Sequence, residues 1–267
     1  MNTNLVNDVI LHELNKEVVN LTYVSKLIKS GGDVNIQNKD GNTALIIAAG
    51  EGHDVIADKI IKAGVVIDFQ TKDGNTALMA AASGGHYIVV DIFIKAGADV
   101  NIQNKDGNTA LIYAASGGHD EIVSLLINVG ANINTRNKDG NTALIRSTIM
   151  KNDTTIYILI EAGADINLQN IRGNSALIIA ADKGYDVIVD ILIKAGTDIN
   201  LQNKDENTAL IAATDKGYNK IVYLLIKSGA DINLQNRYKN TALNISVNKG
   251  NNIITNMLTE TGYATVK

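Results

Sequence analysis

The phrase NKDGNTALI, at residues 38–46, returns down the chain at a fixed step of 33 residues. Its copies begin at 71, 104, 137, 170, 203 and 236, some with substitutions. A compact globule needs no such period. A stack of like units does, because each unit must offer the same face to an identical neighbour. Over 267 residues the period predicts about eight layers around a continuous apolar seam.

One unit shows the local logic. Lys39-Asp40-Gly41-Asn42 is a turn signal, with Gly41 supplying positive φ at little cost. Thr43 is placed to start a helix over residues 44–49, in which Leu45, Ala48 and Ala49 share a face. Gly52-His53 turns the chain into a second helix over residues 54–62. Val55, Ile56, Ile60 and Ile61 are expected to form its buried side. Ala63-Gly64 stops it. The arms that follow, such as Asp33-Val34-Asn35-Ile36-Gln37 and Asp99-Val100-Asn101-Ile102-Gln103, alternate apolar with polar residues and predict small two-stranded fingers.

At this point the chain resembles the ankyrin repeat family over nearly its whole length. The family pattern is a 33-residue turn–helix–helix unit carrying D-G-x-T-P-L-H-x-A-A, a G-H pair and a G-A-D-V-N close. Asp40-Gly41-Asn42-Thr43-Ala44-Leu45 fills the first phrase. Gly52-His53, Gly85-His86 and Gly118-His119 fill the second, and Gly97-Ala98-Asp99-Val100-Asn101 the third. The resemblance implies an all-α ankyrin-repeat solenoid of stacked helix-turn-helix units with projecting β-hairpin fingers. Its recurring structural positions fall at Gly41, Thr43, Gly74, Thr76, Gly107, Thr109, Gly140, Thr142, Gly173, His53, His86 and His119. It implies one domain over residues 1–267. Regular units start near 38, 71, 104, 137, 170 and 203, with capping units at 5–37 and 236–267. The family's Pro is Ala in every copy, a benign change in a first helical turn. Its phrase His is Ile or Met, and finally Asn244, which removes a side chain that ties neighbouring turns in typical members.

The copies differ informatively. The first unit, with helices expected at 10–18 and 21–30, is polar at Glu13, Lys16, Glu17 and Lys26, as suits a cap. The last unit carries Asn244, Ser246, Asn248, Asn251 and Asn252, and its tail is expected to fray from Thr259. The copy starting at 137 replaces Ala-Ala with Ser147-Thr148 and Gly-His with Lys151-Asn152, and sets Ile149-Met150 where other copies are small or polar. By resemblance, partners meet the turn tips and the exposed side of the first helix. That makes Tyr113, Arg146, Ile149, Met150, Ile179 and Arg172 the candidate partner-binding residues. Tip Lys-Asp pairs are nearly constant. Exceptions are Ile171-Arg172, Asp205-Glu206 and Arg237-Tyr238-Lys239, where Glu206 and Lys239 replace the turn glycine.

Other chemistry finds little footing. There is no cysteine, which excludes disulfides and thiolate sites and fits a reducing compartment. His53, His86 and His119 sit one layer apart and read as structural, not as metal ligands. No nucleophile elbow, calcium loop or phosphate loop occurs. A net charge of −4 disfavours nucleic acid and anionic membranes. The residues at the amino terminus, MNTNLVNDVILHELNKEVV, lack a basic segment followed by an apolar core. The expectation is a cytoplasmic protein, or one delivered into a host cell by a non-classical route. It is expected to be a monomeric, non-enzymatic scaffold without cofactor, metal or small-molecule substrate, binding a protein partner. The alternatives are a modular repeat unit with no dedicated partner, or a host-directed effector.

Overall fold

The computed structural model describes residues 3–16 and 20–265, and it is all-helical among them. Glu17 and Val18, part of the expected cap and its first helix, lie outside the described residues. The chain divides into two compact units, residues 1–138 and 139–267.

The first unit holds α1 (Thr3–Leu14), α2 (Leu21–Lys29), α3 (Ala44–Gly50), α4 (Asp54–Lys62), α5 (Ala77–Gly84), α6 (Tyr87–Lys95), α7 (Ala110–Gly117) and α8 (Asp120–Asn128). Its odd-numbered helices from α3 pack in one row, α3 on α5 on α7, and its even ones in another, α2 on α4 on α6 on α8. The second unit holds α9 (Ala143–Met150), α10 (Asp153–Glu161), α11 (Ala176–Lys183), α12 (Asp186–Lys194), α13 (Ala209–Lys216), α14 (Asn219–Lys227), α15 (Ala242–Asn248) and α16 (Asn252–Thr265). There α9, α11, α13 and α15 form one row and α10, α12, α14 and α16 the other.

Each first helix begins the same way. The hydroxyl of Thr43 accepts the Ile46 N–H at 3.3 Å, and Thr76, Thr109, Thr142, Ser175, Thr208 and Thr241 repeat the bond. The helix then buries a short Ala-Leu-Ile run and a pair of small residues against its neighbours. The small pair lets the row close up. Ser147 and Thr148 are as buried as the alanines they replace, because both hydroxyls donate to the Leu144 carbonyl. Second helices contribute larger groups, such as Val90 with Phe93, Val123 with Leu126, and Val222 with Leu225. Val55 departs from its expected burial and is 59% exposed, while Ala57 and Ile60 are the covered residues of α4. Position 55 shares its register with exposed Ile88 and Val187, so the second residue of these helices points away from the neighbouring pairs.

The ends also depart from expectation. Helix α1 starts at Thr3, a turn and more before residue 10, because Val6 and Ile10 together cover the neighbouring pair. Glu13 is buried rather than solvent-facing. Its carboxylate takes the Lys16 ammonium (2.5 Å) and the Asn20 N–H (3.0 Å), and these bonds hold it below the usual carboxylate range. Backbone helix continues past Thr259 to Thr265 instead of fraying. Ile254 and Leu258 anchor it, and Thr255 bonds the buried Ser246.

No β-strand occurs among the described residues, so the expected hairpin fingers are turns and connectors. From Lys105 onward each tip makes a single backbone bond to the tip before it, as Lys105 N–H to Asp73 O (2.8 Å) and Lys204 N–H to Arg172 O (3.1 Å). Side chains satisfy much of the remaining backbone, and a strand ladder has no partners left to use. The leading Asn of the phrase does the most. Asn104 Oδ1 accepts the N–H groups of Asp106 and Asn108, shaping its own turn, while its Nδ2 donates to Asn75 Oδ1 of the preceding copy (2.7 Å). Asn137–Asn108, Asn170–Asn141, Asn203–Asn174 and Asn236–Asn207 repeat this rung at 2.8–3.1 Å. A second row runs through the arms, where Asn35, Asn101, Asn167 and Asn200 each accept an N–H from the next copy. A third uses Gln103, Gln169 and Gln202, each donating to its own turn and to the following copy.

The turn glycine is required by close approach as well as by φ. A Cβ at Gly173 (φ 76°) would lie 2.6 Å from the Lys204 nitrogen. Glu206 and Lys239 nonetheless hold φ of 59° and 64° at this same position.

Three outcomes follow for unfolding of the intact chain, the first two read in urea. Asn203→Ala, which strips a rung and leaves two turn N–H groups without their acceptor, is expected to cost about 1–2 kcal/mol. Thr71→Asn supplies the missing rung to Asn42 and should add about 0.5–1 kcal/mol. Equal midpoints for all three proteins would show the amide row to be stability-neutral. Separately, Glu206→Gly and Lys239→Gly are each expected to stabilise by about 0.5–1 kcal/mol, as relief of left-handed strain outweighs the added chain entropy. Lower midpoints would show these residues to be unstrained.

The third concerns Asp68, which stands where the arm row otherwise has Asn and accepts the Asp99 N–H through both oxygens (3.2 and 3.3 Å). Burial and then the Asp99 charge push its carboxyl above the usual range, against that N–H. A raised folded-state value means the fold prefers the protonated acid, so the preference is present at low pH and lost as pH rises. Asp68→Asn should therefore stabilise the fold at pH 7 by roughly 0.5–1 kcal/mol, read as a raised melting temperature, with the gain shrinking as pH falls and gone below about pH 4. A gain independent of pH would rule out the ionised carboxylate as its cause.

Candidate functional site

The turn tips and first helices of the second unit enclose an open groove of about 760 Å³. Isoleucines 149, 178, 179, 211 and 245 line its floor with the amides of the Asn rungs, and Asp139, Arg172, Asp205 and Tyr238 stand on its turn-tip side. Asp182, Lys183 and Asp215 come from the far ends of the first helices. The first unit has a smaller groove of about 330 Å³ at the same register, with Asp40, Asp73, Ile46, Met79, Ala80 and Tyr113 among its lining residues.

Folding sorts the interleaved charges of the tips. The aspartates Asp40, Asp73, Asp139 and Asp205 line the grooves, whereas Lys39, Lys72, Lys138 and Lys204 do not. Lys72 instead reaches back to donate to the Lys39 carbonyl (2.6 Å). Further back, Asp182 and Asp215 pair with Lys216 (3.7 Å) and Lys249 (2.8 Å) of the following copies.

The candidate residues separate on this frame. Tyr113 belongs to the first unit, where its hydroxyl joins the amide row, accepting from Asn104 Nδ2 at 2.9 Å and donating to Asn75 at 3.5 Å. Ile149, Arg172 and Ile179 meet in the groove of the second unit. Ile179 is not the exposed contact expected of it; it is 7% exposed, a covered floor residue. Arg146 is half-buried, and Met150 is exposed but does not line the groove. Lys151, beside it, takes φ 63° and lays its ammonium 5.3 Å from the Tyr185 ring.

The histidines tie layers together. His86 Nε2 lies 3.0 Å from the Gly50 carbonyl, and His119 Nε2 3.1 Å from that of Ser83. A Cβ at Gly52 would fall 2.5 Å from the His86 ring, so the glycine of one copy makes room for the imidazole of the next. Tyr218 occupies the same slot over Gly184. His53 instead pairs with Glu51 at 3.1 Å. Among the described residues no group of three or more His, Asp or Glu side chains is placed to hold a metal, and no helix is long and apolar enough to cross a membrane.

Sequence reasoning missed the amide rows, including Asn141, Asn170, Asn174, Asn203 and Asn207 of the groove floor. Their signal was present. A turn requires Asn at neither the first nor the fifth position of the phrase, yet both positions keep it through most copies.

A comparison with curated proteins finds no match. The family model described as "Ankyrin repeats (3 copies)" matches residues 11–104, 89–170 and 177–266, on a chain of capped, paired helices. Such repeats serve generally as modules of protein–protein interaction, and by this match the chain belongs to the ankyrin repeat family.

Proposed function

We propose that the protein is a non-enzymatic scaffold that holds a protein partner in the groove and against the turn tips of its second unit. The observation that supports this most is the concentration of departures from the repeated phrase around that groove. Ile149, Ile171, Arg172 and Tyr238 line it, and Glu206 and Lys239 sit at its tips in a strained backbone conformation. Strain and exposed apolar or charged groups, gathered on one concave face, are what a recognition surface needs. Ile171 is 51% exposed and Tyr238 72%. In this reading residues 1–267 act as one ankyrin repeat domain with capping units at 5–37 and 236–267. It acts as a monomer inside a reducing compartment, its own or a host's, consistent with the cysteine-free sequence.

The uniform Lys-Asp tips at 39–40, 72–73 and 105–106 favour a second reading for the first unit alone, as modular support without a partner of its own.

Selection from a displayed library of random twelve-residue peptides, using the intact chain as bait, tests the proposal. Enriched peptides are expected to slow amide exchange at the turn tips and first helices between residues 139 and 245. Their affinity should drop roughly tenfold with Tyr238→Ala or Ile171→Ser, both exposed positions that folding tolerates. No enrichment, or protection confined to residues 1–138, would overturn it.

A further inference from the structure

Four successive tips reach the groove of the second unit, and no two present the same group in the same state: Asp139, Arg172, Asp205 and Tyr238. Asp139 and Arg172 are exposed, and neither side chain has an ion-pair partner among the described residues. Asp205 is already paired with Arg237, Nη1 to Oδ1 at 2.8 Å. The rim thus reads as an open acid, an open base, a neutralised position and an aromatic ring.

The floor adds a second pattern. Asn174 and Asn207 accept rungs through Oδ1, from Asn203 and Asn236, while their own Nδ2 groups bond nothing among the described residues. Both amides are half-buried in the groove. Half-buried donors recurring once per layer match the carbonyls of an extended main chain laid across the layers. The spacing agrees. Packed helices stand about 8–10 Å apart and an extended chain rises about 3.3 Å per residue, so one layer corresponds to three residues.

We infer that the second unit reads an extended peptide segment in steps of three residues. The segment carries a basic side chain against Asp139, an acidic one three residues on against Arg172, a small polar one against Asp205, and an apolar one against Tyr238. This deepens the scaffold reading and rests on it. The apolar anchor contributes contact area, whereas the two charges set register and exclude segments with the opposite order.

Synthetic ten-residue probes test the register by fluorescence anisotropy with the full chain. One probe has the order Lys-x-x-Glu-x-x-Ser-x-x-Leu on a Ser/Gly background, and a second has Lys and Glu exchanged, so composition and net charge are identical. Each is also made in reversed chain direction. In its better direction the first order is expected to bind roughly tenfold tighter than the exchanged one, about threefold from each rim charge. Asp139→Lys combined with Arg172→Glu should invert that preference. Glu161→Lys, an exposed change on α10 outside the groove, should leave it intact. Equal binding of the two orders, no binding of either, or a preference that survives the double reversal would overturn the register. If library-selected peptides still protect the groove in that case, the scaffold reading stands and only the three-residue code fails.

Discussion

Helices of seven to nine residues are unstable alone in water, and here nearly every helix is that short. Each pair exposes apolar surface on both sides, so the fold depends on neighbouring pairs covering it for one another. The small residues at Ala48-Ala49, Ala81-Ala82, Ala114-Ala115 and Ala180-Ala181 set how close that cover comes, and all are fully buried. A stack built this way tolerates no large group at those positions. Ser147 and Thr148 are admitted because they are small and return their hydroxyls to their own helix.

Close stacking brings the connectors into register too, and this family member fixes them with amides. The phrase His that ties turns in typical members is absent, and the Asn, Gln and arm rows take over the cross-links. Each row links successive copies through side-chain amides, so the connectors are tied without strand pairing. The same spacing that aligns the rungs aligns the groove, whose floor is made of the rung amides and of isoleucines from the first helices.

Much of the fold was legible in single residues. Thr43 and its copies cap helices, Gly41 and its copies turn the chain, and Ala63-Gly64 stops a helix, because these tasks are local. Val55 was misread for a non-local reason: an apolar residue in the first turn of a short helix belongs to the core only if a neighbour stands on that side. Glu13 was misread as a solvated cap residue because, beside its local partner Lys16, it also takes the Asn20 N–H of the chain entering α2, a partner that the helical pattern does not show. The site was legible in part. Ile149 and Arg172 stood out as breaks in the repeat, but Ile179 looked exposed from its place in the phrase and is covered by its neighbours.

The amino-acid sequence by itself determined the repeat, the turn–helix–helix unit and the short apolar faces, since a period of 33 and a capped, Ala-rich phrase admit few other structures. Tertiary structure alone decided which side each tip charge takes. Lys and Asp are adjacent in sequence and cancel on paper. Stacking turns Asp40, Asp73, Asp139 and Asp205 to the grooves and leaves Lys39, Lys72, Lys138 and Lys204 outside them, so charges that are adjacent in sequence are parted by the fold.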